Sequence, residues 1–168
     1  FTHLYNAMSP LTSREPGMVG VALADRDSWC GIILDGYHVH PTAAKLAFAA
    51  KPRGKMLLVT DAMSPVGTSE TEFAFFDGKV VREGNKLTNE AGSLAGSVLD
   101  MAGAVQYAVN ELAVPEGEAL RMASLYPAEF LGIADQVGRI QVGQRADLLL
   151  LDASGAVQQG FIAGRQIY

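Results

Sequence analysis

Two short runs of unbroken apolar residues stand out in the first third of the chain. Cys30-Gly31-Ile32-Ile33-Leu34 leads into Asp35-Gly36, and Lys55-Met56-Leu57-Leu58-Val59 leads into Thr60-Asp61. Continuous apolarity without alternation is what a strand covered on both faces requires, so both read as buried parallel strands. Between them, Pro41 to Lys51 (PTAAKLAFAAK) is Ala-rich and reads as a helix. Pro41 suits the first turn, and Pro52 with Gly54 stops it. Strand, helix, strand is a right-handed βαβ crossover. Ligands of such sheets gather at the carboxyl ends of the strands, where both runs turn polar.

The pattern then changes. Thr71 to Phe76 and Lys79 to Arg82 flank Asp77-Gly78, a strong hairpin signal. The stretch from Glu83 to Gly96 is polar and rich in Gly, Asn and Ser. From Ser97 to Leu112 the apolar residues Leu99, Met101, Ala102, Val105, Ala108, Val109 and Leu112 make a helical stripe. Pro115 to Met122 reads as a second helix and Pro127 to Leu131 as a short third. The tail returns to β: Val137 to Ile140, Asp147 to Asp152, Ala156-Val157, Gly160 to Ile162 and Arg165 to Tyr168 are expected as short strands.

Composition narrows the class. The 168 residues are 49% hydrophobic and 18% charged, with a net charge of −5. This is globular composition, not that of a disordered chain. Net negative charge without a Lys/Arg stripe argues against nucleic acid as a partner. The apolar runs fall far short of the ~20 residues of a membrane helix. One cysteine, Cys30, excludes an internal disulfide and fits a reducing compartment such as the cytoplasm; it reads as a small buried hydrophobe.

Candidate chemistry follows the strand ends. HExxH, CxxC, Walker A and GxGxxG patterns are absent. Asp61 follows an apolar strand, where it is either a helix cap or a carboxylate able to pass protons. His3 in Thr-His-Leu-Tyr-Asn-Ala-Met is either a surface histidine or one ligand of a metal, and a catalytic zinc needs about three protein ligands. His38 and His40 are two apart and would share a face on a strand, but Gly36 and Pro41 bracket them, which favours one functional histidine beside a solvent-facing neighbour. Arg14, in a polar loop, is either solvated or a phosphate clamp. Ser93 to Ser97 either brings backbone amides to a ligand or forms a plain turn with Ser97 capping the next helix.

Taken together, Thr2-His3-Leu4-Tyr5-Asn6-Ala7-Met8, Gly31 to His38, Leu58-Val59-Thr60-Asp61-Ala62 and Leu94-Ala95-Gly96-Ser97 resemble the N-acetylglucosamine-6-phosphate deacetylases of the amidohydrolase superfamily. The tail from Gly138 to Leu148 resembles that of many amidohydrolases. The resemblance implies an α/β fold, the C-terminal part of a (β/α)8 TIM-type barrel plus strands of a small β-sandwich. Residues 1–134 would be barrel, including a β-hairpin insertion near 71–82, and 135–168 the closing sandwich strands. Thr2-His3-Leu4 would end the sixth barrel strand, with the two apolar runs as the seventh and eighth.

The implied activity is hydrolysis of the N-acetyl group of N-acetylglucosamine 6-phosphate, in amino-sugar catabolism, to glucosamine 6-phosphate and acetate. It uses a divalent metal, with zinc the expected ion. Residue by residue, the resemblance makes Asp61 the catalytic acid–base and His3 a metal ligand. Asn6, Ala7, His38, Leu94, Ala95 and Gly96 would contact substrate, the last three in a loop closing over it. Arg14 would reach the phosphate from the other subunit of a homodimer. His40 matches no functional position. A TIM barrel takes ~250 residues, so the chain is expected to be a segment of a longer protein. The remaining ligands, a glutamate and a histidine, would lie in an N-terminal segment outside it. The alternatives are a non-catalytic phosphosugar-binding or dimerising lobe, and another amidohydrolase acting on cyclic amides. Asn6, Ala7 and Arg14 speak against the latter.

Overall fold

The computed structural model describes residues 1–76 and 78–168. Two parallel strands, β1 (Cys30–Ile33) and β2 (Met56–Val59), pair in register from Cys30 opposite Met56 to Ile33 opposite Val59. They are joined by a helix over Pro41–Ala50, as the sequence pattern predicts. Pro41 occupies its first turn, and His40 caps it by accepting from the Thr42 amide at 3.2 Å. That is the whole visible role of the exposed His40.

Ahead of this unit lies a helix that the pattern does not announce. It is labelled α1 (Gly17–Ala24), and the Pro41–Ala50 helix is α2. The α1 sequence GMVGVALA is apolar all round, with no side-chain cap, so neither periodicity nor a cap marks it. Gly17 starts it at φ +59°, and a Cβ there would lie 2.4 Å from the Pro10 carbonyl oxygen. Its far end is tied down by the buried Lys51, whose Nζ donates to the carbonyls of Ala22 (2.9 Å) and Asp25 and to Ser28 Oγ (3.2 Å). A buried ammonium is tolerated when its protons find such acceptors.

The expected hairpin is the first half of a larger sheet. Strands β3 (Glu72–Phe75), β4 (Gly78–Glu83), β5 (Lys86–Asn89) and β6 (Leu94–Ser97) form a four-stranded antiparallel meander. Of the predicted Asp77-Gly78 turn, Asp77 lies outside the described residues and Gly78 opens β4. The Gly/Asn/Ser stretch is therefore strand and turn. Its side chains are too polar to signal strands, and its backbone pairs because β4 offers a free edge.

Helices α3 (Met101–Asn110), α4 (Glu116–Ala123) and α5 (Leu125–Phe130) follow, and all three pack on β2. Asp100, not Ser97, caps α3, accepting from the Gly103 amide at 2.6 Å. The core joins Leu4, Ile32, Leu34 and Leu58 to Ala44, Ala47, Ala104, Ala108 and Met122. The closing strands β7 (Leu148–Leu151), β8 (Val157–Ile162) and β9 (Arg165–Gln166) form a three-stranded antiparallel sheet.

Two strand expectations fail. Val137 to Ile140 is a bend, because Gly138 takes φ +100° against Ala128 and Leu125, and a Cβ there would meet the Ala128 Cβ at 2.8 Å. Thr2-His3-Leu4 lies alongside β1 without becoming a regular strand. Gly31 donates to the Phe1 carbonyl (2.8 Å) and accepts from the Leu4 amide (2.7 Å). Beyond that the ladder stops, since His3, Tyr5 and Ala7 all have positive φ.

Candidate active site at the carboxyl ends of β1 and β2

β1 and β2 run parallel, so the residues that follow them emerge side by side. After β1 the chain turns at once. Asp35 Oδ1 accepts from the amides of both Tyr37 and His38, each at 2.9 Å, which folds 35–38 into a tight loop. The turn swings the His38 ring back onto Asp35, with Nδ1 2.6 Å from Asp35 Oδ2. Both side chains are only 5% exposed. Burial pushes the Asp35 carboxyl up. Hydrogen bonds from the His38 ring and from the His38 and Tyr37 amides outweigh it and hold it below the usual carboxylate range.

After β2, Asp61 places Oδ2 3.8 Å from His38 Nε2. This is ion-pair range but too long for a hydrogen bond. Asp61 is 49% exposed, so its carboxylate is open to a ligand while His38 forms the wall behind it. Asp61 adopts φ +53° and is no helix cap. Its main chain is clamped by β6: Ser97 donates its amide to the Asp61 carbonyl at 2.8 Å and its hydroxyl to the Thr60 carbonyl at 2.5 Å.

Leu94, Ala95 and Gly96 form β6, where the resemblance expects a substrate-covering loop. Pairing with β5 and the bridge from Ala62 to Ser97 make this segment a strand. Gly96 nevertheless sits beside Asp61: at φ +77°, a Cβ on it would lie 3.0 Å from the Asp61 carbonyl oxygen.

His3 leaves the segment beside β1 with its Nδ1 buried and without a hydrogen-bond partner. A desolvated imidazole nitrogen without a partner suits a cation. Among the described residues no group of three or more His, Cys, Asp or Glu side chains converges on a metal position. His3 therefore fits a divalent metal as one ligand, and this chain supplies at most part of the coordination shell. Asn6 is half-buried, with Nδ2 donating to the Leu4 carbonyl at 3.3 Å, and Ala7 is exposed beside it. Arg14 stands apart, exposed at the tip of a loop closed by Thr12 and Glu15.

A cavity of about 560 Å³ lies at the opposite ends of the strands, lined by Lys45, Met56, Leu112 and Arg121 among others. None of Asp35, His38 and Asp61 lines it, so it is separate from the acid–base chemistry. Cys30 is buried with its thiol pushed up, chiefly by burial, and is no nucleophile. Asp35 helps to build the site and was not a candidate from sequence, where Ser97 reads only as part of an amide-bearing turn or as a helix cap. The signal for Asp35 was available: an Asp three residues before a His, at a strand end, with Gly between.

These strands, this sheet and this site define a class. The chain belongs to the amidohydrolase family, whose profile matches residues 2–167. It is 56% identical over its whole length to an N-acetylgalactosamine-6-phosphate deacetylase of Shewanella sp. (strain ANA-3), of which it covers 42%. An N-acetylglucosamine-6-phosphate deacetylase from Pasteurella multocida superposes on 99% of the chain with a TM-score of 0.95 at 35% identity; the match covers 44% of that enzyme. The Mycobacterium smegmatis N-acetyl-D-glucosamine-6-phosphate deacetylase, solved in complex with N-acetyl-D-glucosamine-6-phosphate, matches 98% of the chain at 31% identity and TM-score 0.89, over 44% of its own length. The chain thus spans less than half of these relatives, and its fold is the C-terminal part of a TIM-type amidohydrolase with strands of its β-sandwich.

Proposed function

We propose that this chain is the proton-handling part of a metal-dependent deacetylase acting on an N-acetylhexosamine 6-phosphate. The reaction takes water and releases the amino-sugar 6-phosphate and acetate. The observation that carries this reading is the half-exposed Asp61 carboxylate beside the buried His38–Asp35 pair. N-acetylglucosamine 6-phosphate is the substrate implied by the sequence motifs. The 56% identity to a relative named for the galactosamine compound puts the C4 epimer beside it.

Asp61 takes a proton from the attacking water, then gives it to the sugar nitrogen as the C–N bond breaks. That second transfer is required because an unprotonated amide nitrogen leaves badly. His38 Nε2 faces the same space and orients the acetyl group. Asn6, the Ala7 backbone and Arg14 hold the phosphate, far from the reacting bond, so that binding energy fixes its position. A divalent metal, zinc by expectation, supplies Lewis acidity to polarise the carbonyl and acidify water. His3 would be one of its ligands, the others coming from outside this chain. Residues 1–134 carry the barrel chemistry and 135–168 the sandwich strands, and the active assembly is a homodimer completed by Arg14.

The test is acetate release by the metal-loaded full-length protein from both epimers, beside Asp61→Asn. Turnover of either epimer, lost by about a hundredfold or more in the variant with substrate binding kept, is expected. Binding without acetate release would instead make the protein a phosphosugar-binding lobe.

A further inference from the structure

We propose that Asp35 is a positioning residue for the reaction: it fixes the His38 ring and its tautomer, so that Nε2 is the nitrogen presented to Asp61 and substrate. The inference rests on the deacetylase reading for its kinetic part only. Two oxygens of one carboxylate do two jobs. Oδ1 takes the amides of Tyr37 and His38, which builds the turn, and Oδ2 takes the ring at 2.6 Å. An ionised carboxylate only accepts, so Nδ1 carries the proton and Nε2 of the neutral ring is left bare. Both side chains are almost wholly buried, so water does not compete for either nitrogen from that side. When Nε2 takes a proton, the Asp35 charge stands behind the ring as its counter-ion.

The geometry makes Asp35→Asn informative. The two backbone amides need an acceptor and keep the amide oxygen at the Oδ1 position. The NH₂ group then faces Nδ1, which must become the acceptor, and the ring proton moves to Nε2. The turn survives while the tautomer inverts, as in the serine-protease triad when its aspartate becomes asparagine.

The experiment uses the metal-loaded full-length protein with ¹⁵N-labelled histidine, the His38 ring assigned by its loss in His38→Gln. In the wild type the expected tautomer is Nδ1–H, and in Asp35→Asn it is Nε2–H. Acetate release should fall about a hundredfold in kcat, with KM changed far less. Asp35→Glu, which keeps the charge, should recover part of kcat and the Nδ1–H tautomer. A wild-type ring protonated at Nε2, an unchanged tautomer in Asp35→Asn, or a kcat within twofold of wild type would each overturn the proposal. If Asp35→Asn does not fold, the wild-type and Asp35→Glu spectra decide alone. If the wild type releases no acetate from either epimer, the deacetylase reading fails, and the ring spectra still judge Asp35.

Discussion

Ser97 holds Asp61 by its main chain. The Ser97 amide donates to the Asp61 carbonyl at 2.8 Å, and the Ser97 carbonyl accepts from the Met63 amide at 2.9 Å. The buried hydroxyl adds a bond to the Thr60 carbonyl (2.5 Å) and accepts the Leu99 amide (3.0 Å). A non-glycine residue at φ +53° persists only where its neighbours over-determine it, and β6 does so here.

Ser97→Ala therefore leaves the Thr60 carbonyl without a donor and the Leu99 amide without an acceptor. The expected cost is about 1–3 kcal/mol, read from denaturant unfolding. In the full-length enzyme kcat should fall more than KM rises, because the carboxylate is displaced and the phosphate contacts are not. Wild-type stability and kcat together would show that the hydroxyl is idle.

Gly96 is adjacent and answers to two constraints at once. It sits at φ +77°, and a Cβ would meet Met63 Cγ at 2.3 Å and the Asp61 carbonyl at 3.0 Å. Gly96→Ala is expected to destabilise the chain by about 1–3 kcal/mol. Adding Met63→Ala removes the side-chain clash but neither the strained φ nor the carbonyl contact. Recovery in the double variant should be partial, and full recovery would show that only Met63 was in the way.

Acid sensitivity should report on Glu118. Its carboxylate accepts from Arg53 Nε (2.9 Å), Arg121 Nη2 (2.7 Å) and the Tyr126 hydroxyl (2.7 Å). Burial pushes its carboxyl up, but these donors outweigh it and hold it below the ordinary glutamate value. A carboxyl depressed in the folded state contributes fully above its unfolded pKa of about 4.3, and the contribution fades as pH falls through the lower folded value. Glu118→Gln should lower the unfolding midpoint at pH 7, and the gap from wild type should shrink below about pH 4. A gap independent of pH would assign the effect to packing.

Arg14 is exposed to solvent in the loop closed by Thr12 and Glu15. If it serves the partner's phosphate site, two inactive full-length variants, Arg14→Ala and Asp61→Asn, should regain activity when mixed. A mixed dimer contains one site with both an intact Asp61 and an intact Arg14. No recovery in verified mixed dimers would place Arg14 outside the site.

What could be read from the chain alone is what short-range physics controls. The unbroken apolar runs marked β1 and β2, Pro41 and Pro52 marked α2, and the Leu99–Leu112 stripe marked α3, because burial pattern and helix stops are local. The motifs around His3, His38 and Asp61 also placed candidate chemistry at the strand ends. Tertiary structure alone decided the rest. α1 is apolar on every side and is held by Lys51, 26 residues beyond its capping Asp25. β5 and β6 are polar segments that become strands only once β4 is there to pair with. The same holds for the site. Parallel pairing of β1 with β2 sets His38 beside Asp61, and Ser97 meets Thr60 across 37 residues. No local pattern records such a meeting, because the hydrogen bonds that make it form only after the sheets have closed.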